Sequence, residues 1–296
     1  MNQPTALTLR RDAAQSAAGL PALLAAAERL AQTVMPGVHG RRRAGQGDEF
    51  WQYRPAMDTD APRHIDWRRS AKSDGNFIRQ KEWQLAQSVM FLVDPGASMR
   101  WASHKNLPQK SHRAATLALA CSMLLQRGGE RFGLIGAEAI LPRTGDVQIM
   151  RMAQALSNGE DTAQDFTAPD LSALRPDTQL VMISDFLGDP AAFTRAADQA
   201  AGLGARGVFL QILDPAEEAF PWRGRTIFQS VTGRTEHETR KADDLRDRYL
   251  ERLNARKDTL QDLARRTGWQ YHCHHSDAPA ASALLWLYQA LERASR

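Results

Sequence analysis

Phe91-Leu92-Val93-Asp94-Pro95-Gly96-Ala97-Ser98-Met99 is an apolar run that stops on an aspartate and passes at once into small residues and a hydroxyl. A strand buried on both faces reads as a continuous apolar run, which places the aspartate at the strand's carboxyl end. Leu180-Val181-Met182-Ile183-Ser184-Asp185-Phe186-Leu187-Gly188-Asp189 repeats the plan. Ligands of open α/β sheets bind in the crevice outside the carboxyl ends of the strands, so the two aspartates are expected to meet there. Asp94, Ser98 and Asp185 are hard oxygen donors of the kind Mg²⁺ takes, with water or a partner's carboxylate completing the octahedron. The alternative is that Asp94 and Asp185 accept amide hydrogens from the segments that follow them.

Outward from these runs, strand-like and helical patterns alternate over residues 88–94, 111–127, 132–141, 147–156, 179–185, 190–203 and 207–214. Such alternation predicts an α/β fold with a mostly parallel sheet covered by helices on both faces. Residues 225–231 and 235–239 read as a hairpin about Thr232-Gly233. A charged helix from about 241 to 267, a strand over 269–274 and a helix over 278–293 follow. Toward the amino terminus, Leu23, Leu24, Ala27, Leu30, Ala31 and Val34 recur at helical spacing, and Pro36-Gly37 ends the pattern. The chain thus divides into a polar tail over 1–19, a segment over 20–86 and a main α/β domain over 87–296. Within the segment, residues 76–83 look most strand-like. Trp51, Trp67 and Trp83 are expected to pack it on the main sheet, with Arg63 and Asp66 joined in one charge network.

The 296 residues are 43% hydrophobic and 24% charged, ordinary values for a globular protein. No run approaches the roughly 20 apolar residues that span a bilayer, and the opening Met1-Asn2-Gln3-Pro4-Thr5 lacks a signal peptide's plan; a cytoplasmic location is expected. The net charge is +4. Arg41, Arg42, Arg43, Arg63, Arg68, Arg69 and Lys72 crowd the amino-terminal third. Asp48, Glu49, Asp58, Asp60 and Asp66 are interleaved with them, which favours ion pairs over a phosphate track. Nucleic-acid binding through this segment stays the weaker alternative. Cys121 and Cys273 read as free thiols. His272-Cys273-His274-His275 alternates between strand faces and has no second ligand pair at zinc spacing. Neither a phosphate-loop lysine motif nor a Gly-x-Ser-x-Gly elbow occurs, so no catalytic constellation is expected and ATP hydrolysis is left to a partner.

Several separated motifs carry a family resemblance. Gly45-Gln46-Gly47-Asp48-Glu49-Phe50, Tyr53-Arg54, Arg63-His64-Ile65-Asp66-Trp67 and Ala71-Lys72 are followed by Leu213-Asp214-Pro215-Ala216-Glu217, Phe220-Pro221 and Val231-Thr232-Gly233. In this order they resemble the DUF58 family. The resemblance implies a von Willebrand A-like domain behind the amino-terminal segment. It also implies a non-enzymatic binding or adaptor role beside a MoxR-type AAA+ ATPase and its client proteins. The strand-end residues resemble the metal-ion-dependent adhesion site of von Willebrand A domains, whose first motif is Asp-x-Ser-x-Ser. Asp94 and Ser98 match its first and last positions, and Gly96 stands where the middle serine would be. The resemblance further implies Thr162 as the loop threonine and Asp185 as the later aspartate, holding Mg²⁺ weakly for want of one hydroxyl. A metal-dependent hydrolase that uses the same aspartates to activate water is the rival reading.

Overall fold

The computed structural model describes residues 21–34, 41–45, 49–57, 65–71, 75–85, 87–136, 138–158, 164, 166–167 and 169–295. Its centre is a six-stranded sheet of β4 (Ser88–Val93), β5 (Arg131–Ile135), β6 (Ile140–Arg143), β7 (Gln179–Ser184), β8 (Arg206–Leu213) and β11 (Gln270–His275), in the order β11-β8-β7-β4-β5-β6. All neighbours run parallel except β5 and β6, so the apolar stretch over 132–141 is two strands forming an antiparallel edge. The chain winds from β4 outward to β6, then returns to lay β7 on the other side of β4. The order therefore reverses between β4 and β7, the switch point of a doubly wound sheet.

Both faces are covered. Val89, Phe91, Val181, Ile183, Val208, Leu210 and Ile212 point into one apolar cluster, while Met90, Leu92, Leu180, Met182 and Phe209 point into another. Strand periodicity puts neighbours on opposite faces, and burial of both turns each strand into the continuous apolar run read from the sequence. The first cluster is closed by α1 (residues 21–32), α3 (Lys110–Arg127), α4 (Asp146–Asn158) and α8 (Ala280–Ser295); the second by α5 (Pro190–Gly202) and α7 (Asp243–Thr267). Gly207 on β8 lets Trp269 lie against the strand: a Cβ there would stand 2.4 Å from the indole. The indole N–H donates to the Ala205 carbonyl at 3.1 Å.

The expected boundary near residue 86 separates two sheets. β1 (Arg41–Gly45), β2 (Glu49–Pro55) and β3 (Phe77–Leu85) form an antiparallel sheet of their own, in the order β1-β3-β2. The helix ahead of it belongs to the main core, where Leu23, Ala27, Ala31 and Val34 are buried. Of the expected Arg63–Asp66 network, only the Asp66 side is described. Asp66 caps α2 (Trp67–Ser70), accepting the Arg69 amide at 3.0 Å and the Tyr53 hydroxyl at 3.1 Å; Arg63 lies outside the described residues. Trp67 is 60% exposed, contrary to the expectation that it packs this segment on the sheet, because α2 turns its first residue to solvent. The side chains of Trp51 and Trp83 lie outside the described residues. The hairpin of β9 (Thr226–Gln229) and β10 (Glu236–Thr239) stands apart as a two-stranded sheet, between α6 (Pro215–Ala219) and α7. Cys121 and Cys273 are both free. None of the described helices is long and apolar enough to cross a membrane.

Candidate functional site at the carboxyl edge of the sheet

Three neighbouring strands end on an aspartate: β4 on Asp94, β7 on Asp185 and β8 on Asp214, all buried. Asp94 and Asp185 meet at the switch point, where the Asp94 amide donates to the Ile183 carbonyl at 2.9 Å. A cleft of about 1130 Å³ opens over this edge, lined among others by Asp94, Pro95, His112, Ser184, Phe186 and Asp189.

Both oxygens of Asp94 are engaged. Oδ1 accepts the Gly96 amide at 2.8 Å and the Thr167 hydroxyl at 2.6 Å; Oδ2 accepts the Ser184 hydroxyl at 2.6 Å. Burial raises the carboxyl above the ordinary aspartate range, the three hydrogen bonds oppose that, and the nearby Asp185 charge adds to it. Asp185 is fully buried, with Oδ1 accepting the Leu187 amide at 3.0 Å and Oδ2 facing the Lys110 ammonium at 2.9 Å. Lys110 also reaches Glu217 at 2.6 Å, which makes a carboxylate–ammonium–carboxylate triad across α3, β7 and α6. Burial by itself would lower the lysine's pKa, but the two carboxylates reverse this and raise it, so Lys110 is held as an ammonium. Asp214 is locked too: it accepts the Ala216 amide at 2.9 Å and the Ser103 amide at 2.9 Å, and Glu217 returns a bond to the Asp214 amide at 2.8 Å, closing a capping box.

These carboxylate oxygens are directed at protein donors rather than at one common centre. A Mg²⁺ site needs carboxylate oxygens with free lone pairs on a common centre, whereas the positive charge beside Asp185 is already the Lys110 ammonium. The Ser98 hydroxyl makes no hydrogen bond among the described residues and lines a separate aromatic pocket instead of joining Asp94. Thr162 lies outside the described residues, and the threonine that touches Asp94 is Thr167. Gly96 serves by its amide, which no middle serine is required to supply. The amide-accepting role that the sequence left open is the one both aspartates play, Asp94 to Gly96 and Asp185 to Leu187. Among the described residues no group of three or more His, Cys, Asp or Glu gathers as a metal site. His274 lies 3.2 Å from an Arg113 nitrogen, and His272 stacks on Trp286 at 4.7 Å.

Lys110, Thr167, Ser184 and Glu217 join this site without belonging to the adhesion-site pattern. Only two left a signal. Lys110 opens α3, a helix of alanine and leucine, at the end where the macrodipole disfavours a cation. Asp214 and Glu217 carry the capping-box spacing.

The family model described as a protein of unknown function, DUF58, matches residues 52–259. No curated protein matches the chain. Among solved structures, the conserved hypothetical protein BatB from Bacteroides thetaiotaomicron is 16% identical, with 71% of this chain and 99% of that one covered and a TM-score of 0.45. An aerotolerance-related membrane protein from Bacteroides fragilis is 17% identical, with 70% and 100% covered and a TM-score of 0.44. The VWA domain of SpRpn10 is 10% identical, with 68% and 94% covered and a TM-score of 0.33.

Proposed function

The chain belongs to the DUF58 family with a von Willebrand A-like α/β fold, and on that premise we propose that it is a non-enzymatic binding protein working with a MoxR-type AAA+ ATPase and its clients. The observation that carries the reading is the internal engagement of the strand-end carboxylates by protein donors and one shared ammonium. A general base, nucleophile or metal ligand needs a lone pair turned toward its substrate. Here Asp94 is held by three donors, and Asp185 and Glu217 share one buried lysine. What the edge offers a partner is a wide, shaped cleft on a rigid sheet, and binding there needs no divalent ion.

Co-purification of the full chain with the ATPase, in Mg²⁺ and in EDTA, tests this. Retention in both buffers is the expected result. Retention that requires Mg²⁺ and is lost in Asp94→Ala would return the site to metal-mediated capture of a partner carboxylate. Absence of binding, with metal-dependent turnover in a phosphatase or esterase screen that Asp94→Ala abolishes, would replace the adaptor by a hydrolase.

A further inference from the structure

A second pocket opens on the other side of the ion triad, between α6, the hairpin and α7. α6 ends at Phe220, whose backbone is left-handed at φ 43° and ψ 65°. That conformation is a genuine outlier for a bulky aromatic residue and persists only where its surroundings impose it. It turns the chain so that Phe220 and Trp222 face the hairpin. The Phe220 ring lies 5.1 Å from Trp222, 5.0 Å from Tyr249 and 5.8 Å from Phe228, and Trp222 lies 6.3 Å from Trp101. These rings wall a space of about 720 Å³. Its rim is apolar and open to solvent: Phe166 is 45% exposed, Ile227 57% and Val231 44%. Large apolar side chains gathered in this way mark a surface that another molecule covers.

Charge decides which molecule. Aromatic walls alone would suit a cation. Among the described lining residues, however, the one carboxylate is Glu217, which is 9% exposed and turned to Lys110 at 2.6 Å. Leu245, Arg248, Tyr249 and Arg252 recur along α7 at the spacing of one helix face and all line the pocket. Arg248 and Arg252 are exposed like charges one turn apart, an unfavourable arrangement on an isolated helix. Neither forms an ion pair among the described residues. The ligand that answers all of these is an anion attached to a large apolar group.

We propose that this pocket takes one large apolar side chain of an acidic partner segment, whose flanking carboxylates pair with Arg248 and Arg252. Guanidinium forks match carboxylates bidentately, and the aromatic walls supply the contact area. The proposal stands apart from the ATPase reading, because it concerns the chemistry of the segment bound and a surface outside the switch-point cleft.

The probe is a fluorescein-labelled synthetic peptide with a phenylalanine flanked by glutamates, titrated against the full chain and followed by anisotropy. One control peptide carries lysines for the glutamates, and another carries serine for the phenylalanine. Saturable binding of the first peptide alone is expected, weakening as salt is raised. Arg248→Glu/Arg252→Glu should weaken it by about tenfold or more, and so should Ile227→Asp. All three side chains are exposed, so the variants keep the fold. Equal affinity for the glutamate and lysine peptides, unchanged affinity in the charge-reversed variant, or no binding of the glutamate peptide at millimolar concentration would each overturn the proposal. So would a concentration-dependent dimer that Ile227→Asp dissolves, since a second copy would then cover the pocket.

Discussion

Lys110→Met removes the ammonium that Asp185 and Glu217 share while keeping most of the side-chain volume. Lys110 is 1% exposed and Asp185 is fully buried, so water cannot replace the lost charge. Removing one partner of a buried ion pair costs about 3–5 kcal/mol. Here a single deletion leaves two carboxylates facing each other, which places the loss near the top of that range. Such a loss is a large share of the roughly 5–15 kcal/mol that holds a folded chain together. At about 2–4 °C per kcal/mol for a domain of this size, the melting temperature falls by roughly 8–20 °C. The pH dependence has a definite sign. Burial raises the Glu217 carboxyl above its unfolded value, and the Lys110 charge opposes that rise, so removing the lysine lifts Glu217 further. The folded state then binds the extra proton, and its stability is lost as pH rises through the raised pKa. The deficit of Lys110→Met relative to the parent is therefore larger at about pH 8 than at about pH 5. Urea denaturation followed by tryptophan fluorescence at the two pH values measures it, and Lys110→Met/Asp185→Asn/Glu217→Gln should recover most of the loss by removing the whole charge cluster. A single variant within about 0.5 kcal/mol of the parent, or a triple variant as unstable as the single, would refute Lys110 as the cation of this site.

Thr167→Val removes a 2.6 Å hydrogen bond to a buried carboxylate and should cost about 1.5–3 kcal/mol in the same assay, more at neutral than at acid pH, because Asp94 is raised further. Glu130 is 2% exposed and burial pushes its carboxyl up from 4.5 to about 7, so its contribution is full below the unfolded value and lost as pH rises through the folded one. Glu130→Gln should flatten that slope and leave the variant more stable at about pH 8 by up to roughly 3 kcal/mol, read from denaturation midpoints across pH. Trp67→Ala should move the midpoint by no more than about 0.5 kcal/mol, since the indole is 60% exposed.

The sequence by itself determined the sheet and where its chemistry gathers. Apolar runs ending on Asp94 and Asp185 are local patterns, and burial of both strand faces writes them into the chain without reference to distant residues. The hairpin at Thr232-Gly233 and the capping box of Asp214 and Glu217 are legible for the same reason, since their partners lie within a few residues. What occupies the edge was a matter of tertiary structure. Lys110 reaches Asp185 across 75 residues and Glu217 across 107, and Thr167 reaches Asp94 across 73. No local spacing encodes such pairs. They arise because the doubly wound path brings the start of α3, the end of β7 and the start of α6 to one end of the sheet, where a buried carboxylate must find a donor or a cation. Trp67 marks the same limit from the other side: its size predicts burial, but the cap at Asp66 sets the direction of α2 and leaves the ring in water.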